Sequence, residues 1–392
     1  MQSTPGRTGV NLMQIKLFPT HPSTIASVQF PESMTAPGRR AVALWLLLCA
    51  AMVFAMVVVG GVTRLTHSGL SIVEWQPLVG TIPPLSQADW EALFTKYRET
   101  PEYRLVNFDM DLAGFKRIFW WEYAHRLLGR VIGVVFLLPF LWFLARGRLD
   151  RRLAWQLAGV FALGALQGAL GWYMVKSGLV EDPRVSHFRL TAHLGVALAI
   201  FAAEFWIALD LLGGGNPERA AGQPFRAAVA LAGLVFLMAL SGGMVAGLRA
   251  GYAYNTFPLM NGYVIPPEIL MIEPWWTNFF YNMATVQFTH RLLAWLLAIL
   301  VPLFWWRALA PSLRPRQRLA CHLLVAALAL QVTLGITTLL LVVPVALAAA
   351  HQAGAVLLLA ASLWVAHELR SAGATSSACI SSGHGVPARR AA

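Results

Sequence analysis

The chain has 392 residues, of which 57% are hydrophobic and only 12% charged, and its mean hydropathy is +0.60. A soluble domain carries about twice that share of charge, so the composition excludes a water-soluble enzyme or a string of soluble domains. The net charge of +12 is no nucleic-acid signal, because the basic residues fall in alternate short loops.

Residues 1–40 contain no acid before Glu32, are rich in Ser, Thr and Pro, and lack an amphipathic period. They predict a disordered cytoplasmic leader of a bacterial protein; a transit peptide is the other reading of such a stretch. Apolar runs of about the 20 residues that a bilayer crossing needs then begin near Ala41, His125, Leu153, His187, Phe225, Gln287, Leu319 and Val345. The expected fold is an all-α integral membrane protein of eight transmembrane helices. Arg39 and Arg40 precede the first run, Arg146, Arg148, Arg151 and Arg152 lie between the second and third, and Arg314, Arg316 and Arg318 between the sixth and seventh. The positive-inside rule places these links and both termini in the cytoplasm. The loops at 64–121, 175–186 and 249–286 are then outside. Cys49, Cys321 and Cys379 share no plausible loop, which supports neither a disulfide nor a metal motif. They read as small buried hydrophobes. The tail at 371–392 is low in complexity and expected to be disordered.

The chain repeats itself. Val59-Gly60-Gly61-Val62 answers to Ser241-Gly242-Gly243-Met244, Glu122-Tyr123-Ala124-His125-Arg126 to Gln287-Phe288-Thr289-His290-Arg291, Leu166-Gln167 to Leu330-Gln331, and Ala192-His193 to Ala350-His351. This predicts a tandem duplication of a four-helix unit, residues 41–212 and 225–370, joined by a cytoplasmic linker at 213–224. An even number of helices per copy keeps both copies in the same orientation, a parallel repeat.

Four intramembrane histidines, His125, His193, His290 and His351, occupy matched positions near the outer entry of even-numbered helices. Histidine inside lipid is costly and usually partnered. Core histidines bonded to backbone carbonyls are the bland reading; a haem iron gripped between two facing histidines in each half is the sharper one. Zinc lacks a Cys, Asp or third His at ligand spacing. Arg126 and Arg291 either snorkel to headgroups or pair with haem propionates, whose carboxylates suit the guanidinium fork. Glu122 lies three residues before His125, on the same helix face, where the second copy has Gln287. It is either an interfacial side chain or a carboxylate at the edge of one haem only. His67 and His187 are on the outer side, lack repeat mates and are candidates to line a site.

The run Gly60 to Thr66, then Ser68-Gly69-Leu70-Ser71, Trp75, Pro77 and Pro83-Pro84, resembles the haem A synthase family of mitochondrial and alphaproteobacterial type. So do Phe115-Lys116, Glu122-Tyr123, His125-Arg126, Gly247 to Gly251, Asn255 to Met260, Gln287-Phe288 and His290-Arg291. The resemblance spans roughly 40–370. It implies oxidation of a ring methyl of haem O to a formyl group through a hydroxymethyl intermediate. It further implies haem b as cofactor on His290 and His351, haem O as substrate on His125 and His193, and Glu122 as the catalytic carboxylate. Haem O synthase is the expected partner, and a bacterial inner membrane rather than a mitochondrial one the expected location. The oligomeric state does not follow from the sequence.

Overall fold

A computed structural model describes residues 36–74, 79–179, 183–213, 222–309 and 313–370. Eight of its helices are long and apolar enough to cross a membrane, as expected. They are α1 (Ala36–Leu65), α2 (Leu112–Ala145), α3 (Arg151–Lys176), α4 (His187–Leu212), α5 (Gln223–Gly247), α6 (Met283–Ala308), α7 (Pro315–Leu340) and α8 (Val345–Arg370). Among the described residues the regular structure is helical, save for one isolated bridge between Met260 and Tyr263. The expected tail at 371–392 and residues 1–35 of the expected leader lie outside the described residues, as do 214–221 of the linker. The last five leader residues belong to α1, and Gln223 and Pro224 of the linker form the first turn of α5, where proline is well tolerated.

The largest boundary correction is at α2, which starts at Leu112 rather than near His125. Asp111 caps it, its carboxylate accepting from Gly114 N at 2.7 Å. Its first turns are held by aromatic packing, not by lipid. Phe115, Phe119 and Tyr123 pack on Trp90 and Tyr97, which come from a helix in the first long loop, Gln87–Arg98. Phe115 stacks on Tyr97 with centroids 5.2 Å apart, and Trp90 meets Phe119 edge-on at 4.9 Å. A hydropathy run registers only the lipid-facing part of such a helix. In the same way α6 begins four residues early, at Met283, where Asn282 caps the amides of Ala284 and Thr285.

The helices form two rings with one scheme. In the first, α1 packs on α2, α2 on α3, α3 on α4, and α4 closes on α1; in the second, α5 packs on α6, α6 on α7, α7 on α8, and α8 on α5. The rings join through α1, α4, α5 and α8, the four most buried helices. The core along this wall is built of side chains such as Leu46, Val57, Leu198, Val235 and Leu359. Cys49 and Cys321 lie in it, free and fully buried, as their apolar character suggests. The described loop residues 66–74, 79–111, 177–179, 183–186, 248–282 and 341–344 join helices at one end of the bundle, called here the long-loop end. At the opposite end Asp210 of α4 binds Arg370 and, at 3.0 Å, His367 of α8.

Candidate functional site

Each of the four histidines rests on a glycine of the preceding helix. A Cβ added at Gly60 of α1 would stand 2.8 Å from Nε2 of His125, and one at Gly171 of α3 3.1 Å from Cε1 of His193. The second ring repeats the arrangement. Gly242 of α5 would meet His290 at 3.3 Å and Gly335 of α7 would meet His351 at 2.9 Å. A methyl group at these distances forces a ring to move, so glycine there is a requirement of close approach. His125 lies within electrostatic range of His193, and His290 of His351. His125 and His193 thus belong to the first ring, and His290 and His351 to the second.

Two glutamines missed by the sequence reading as site residues support the second histidine of each pair. Gln167 donates to His193 O and Gln331 to His351 O, both at 3.0 Å. The Nδ1 atoms of His193 and His351 are buried and have no hydrogen-bond partner. An orphaned buried imidazole nitrogen is costly in an apolar interior unless a further group meets it. His290 differs: its Nδ1 lies 2.7 Å from Ser241 Oγ, which fixes the ring and leaves Nε2 to face a ligand, the usual arrangement for a metal-binding histidine. Val59 holds the matching place in the first ring. Paired histidines, small backing residues and orphaned nitrogens fit a flat macrocycle with an axially ligated iron.

Glu122 is 2% exposed and fully engaged. Its Oε2 accepts from Ser71 Oγ at 2.7 Å and from Ile72 N at 2.8 Å, and its Oε1 from Arg126 at 2.6 Å. Arg126 also donates to Ile72 O at 2.7 Å and Glu74 O at 3.0 Å. The expected carboxylate partner of Arg126 is thus supplied by Glu122 of its own helix. Such a buried pair is tolerable because three donors serve the carboxylate. In the second ring Gln287 donates to Ala250 O at 2.8 Å and accepts from Arg291 at 3.1 Å. Arg291 also binds Tyr254 O and Thr256 O, at 2.9 and 3.0 Å. Both arginines clamp a long loop to the start of a histidine helix. A cleft of about 70 Å³, lined by Ser71, Ile72, Glu74, Tyr123, Arg126 and Arg130, opens beside the first clamp. It has room for a few waters.

Of the two unmated outer histidines, His187 begins α4, packing on Phe188 and Tyr281, with its Nε2 buried and unpartnered. His67 sits by Arg249, their nearest nitrogens 3.4 Å apart.

The family described as cytochrome oxidase assembly protein (COX15-CtaA) matches residues 43–363, a stretch that contains all four histidines and Glu122. The chain belongs to this family. A heme A synthase of Nitrosospira multiformis is 62% identical over 357 residues, covering 88% of this chain and 99% of the relative. The heme A synthase of Nitrosomonas eutropha is 58% identical, covering 84% and 93%. That of Paramagnetospirillum magneticum is 50% identical, covering 88% and 99%.

Proposed function

We infer that the protein is a haem A synthase of the bacterial inner membrane, an oxidoreductase acting on haem O. The carrying observation is the asymmetry of the two rings: both offer a histidine pair, and only the first adds a buried carboxylate, Glu122, three residues from its histidine. In this reading His290 and His351 hold a resident haem b, with Ser241 orienting the His290 ring. His125 and His193 hold haem O, the substrate. When bound, haem b supplies one-electron redox chemistry.

Converting a ring methyl to a formyl group removes four protons and four electrons, the latter to an external electron acceptor, and takes its oxygen from one water, by way of the hydroxymethyl stage. Glu122 is the group of the first ring suited to receive those protons or to hold the water. Its ties to Ser71, Ile72 and Arg126 hold it in place on α2, three residues before His125. The cleft beside Arg126 is lined by Ser71, Ile72 and Arg126, the partners of that carboxylate. Asp or Glu so placed also stabilises positive charge that develops on the carbon being oxidised. Gln287 offers neither service.

The matching sequence blocks and the matching ring scheme support a tandem duplication, residues 41–212 and 225–370. The arginine-rich short links support a cytoplasmic face for that end, which puts the long-loop end, and both histidine pairs, on the outer side. Haem O synthase is the proposed source of substrate.

Chromatography of haems extracted from the purified protein tests the reading. The expected yield is haem b with haem O, haem A or the hydroxymethyl intermediate. Two haem b per chain, from cells that make haem O, would make it an electron relay instead.

A further inference from the structure

His67 and Arg249 are repeat mates, each seven residues beyond the glycine that backs a histidine, Gly60 and Gly242. They end α1 and α5 with left-handed backbone, φ 53° and 56°, where a residue bearing a side chain is uncommon and glycine usual. At His67 the turn is closed by Ser68 N donating to Thr63 O at 2.8 Å. These two turns bring the pair of side chains together across the boundary between the rings, Arg249 Nη2 lying 3.4 Å from His67 Nδ1.

Arg64, one helical turn beyond Gly60 and on the same face of α1, lies within electrostatic range of both. Tyr252 faces it as well. The acid that faces Arg249 is Glu102, and burial, then Glu122, push its carboxyl up to about 8. Partial burial, then Arg249 and Arg64, hold His67 below its ordinary value, so its neutral ring can accept from Arg249. Two guanidinium charges thus converge beside one acid, Glu102, whose burial disfavours its charged form. Like charges brought together at the edge of a low-dielectric region repel unless an anion joins them.

We propose that Arg64 and Arg249, with His67, form a carboxylate seat shared by the two rings and filled by propionates of the bound macrocycles. The proposal rests on the haem A synthase reading. Arg64 stands outward of the Gly60–His125 contact by about 6 Å of helix rise, and Arg249 outward of Gly242–His290 by roughly 10 Å. Each is therefore placed over the outward edge of its own ring's macrocycle. Arg126 and Arg291 already serve Glu122, Gln287 and loop carbonyls, and Arg189, one turn outward of His193, serves Tyr173 O. Charge-assisted hydrogen bonds of this kind carry roughly tenfold or more in affinity each.

The test uses the purified full chain with its haems, and a phospholipid phosphate is the competing occupant. Arg249→Gln should lower the midpoint potential of haem b, because a nearby positive charge favours the reduced iron, and should weaken haem b retention about tenfold. Arg64→Gln should chiefly reduce the haem O or haem A that co-purifies. Lysine at either position should restore much of both. The apoprotein rebuilt with haem b dimethyl ester gives a double-mutant comparison: esterification and Arg249→Gln should each weaken binding, and together no more than one alone. A merely structural arginine would give additive losses. Wild-type potential and haem complement in both glutamine variants, with phosphatidylglycerol binding lost instead, would overturn the seat in favour of lipid. Should Arg249→Gln fail to accumulate, equal binding of haem b and its ester by the unaltered protein overturns it. If extraction yields haem b alone, the haem A synthase reading falls, while a shifted potential in Arg249→Gln still upholds a propionate seat in the second ring.

Discussion

The two rings share one helix order, one glycine under each histidine and one glutamine under each second histidine, yet they differ where chemistry would be decided. The first ring has Glu122, bonded to Ser71, Ile72 and Arg126, and Val59 near its first histidine; the second has Gln287, bonded to Ala250 and Arg291, and Ser241 on His290. The first therefore pairs its arginine with a carboxylate and leaves its histidine without a hydroxyl to orient it. The second pairs its arginine with a neutral amide and holds its ring with a hydrogen bond. A site that must admit and release a substrate gains from the former, and a site that keeps a cofactor gains from the latter. Two side-chain exchanges within one backbone scheme suffice for that division.

The strongest way to break the comparison is to remove one ligand from each ring. His351→Ala should abolish the low-spin haem b spectrum, since a bis-histidine iron that loses a ligand turns high-spin or dissociates. His193→Ala should keep that spectrum and lose co-purifying haem O. Identical spectral losses in both variants would mean that the rings are not specialised. Next comes Glu122→Gln, which gives the first ring the residue of the second. Haem A formation should fall about a hundredfold or more with both haems still bound; normal output from a well-folded variant would remove Glu122 from the reaction.

A smaller effect is expected at Ser241. Changing it to Val copies the first ring into the second, and losing the partner of a ligating histidine should weaken haem b retention by about ten- to a hundredfold. Unchanged retention would show that the Ser241–His290 bond does not distinguish the rings. The smallest effect belongs to the loop helices that the first ring packs against its first histidine helix. With a folded value of about 8 against an ordinary 4.5, Glu102 binds its proton more tightly in the folded loop. Loop stability is then fully present below about pH 4.5 and declines as pH rises toward 8. Amide exchange of Tyr97 to Asn107 should quicken over that range, and Glu102→Gln should flatten the dependence.

The eight crossings and the four histidines were legible in the sequence because lipid imposes a long apolar run and makes each polar exception conspicuous. The start of α2 was not, since aromatic contacts with Trp90 and Tyr97, not lipid, hold its first turns. Nor was the engagement of Arg126. Its partners Ile72 and Glu74 lie 54 and 52 residues away, and a charge beside a histidine looks free until the loop is folded over it. The sequence marked Ser241 only as part of a repeated block; a hydroxyl whose role depends on a 2.7 Å contact with another helix carries no local pattern. The meeting of His67 with Arg249 was hidden for the same reason, as repeat mates of unlike chemistry look unrelated until two left-handed turns bring them together.

The second glycine of each block has its own consequence. A side chain at Gly61 would run into Gln352 of α8, and one at Gly243 into Thr191 of α4, so these positions touch the opposite ring while Gly60 and Gly242 touch their own. Gln352 then crosses the boundary to donate to Val57 O at 2.8 Å. Within two consecutive residues, each block both seats a ligand and gauges the gap to the neighbouring half. Spacing between the rings and the fit of each histidine are thereby set on the same turn of helix, as a hinge pin and its washer share one shaft, and neither can be loosened without disturbing the other.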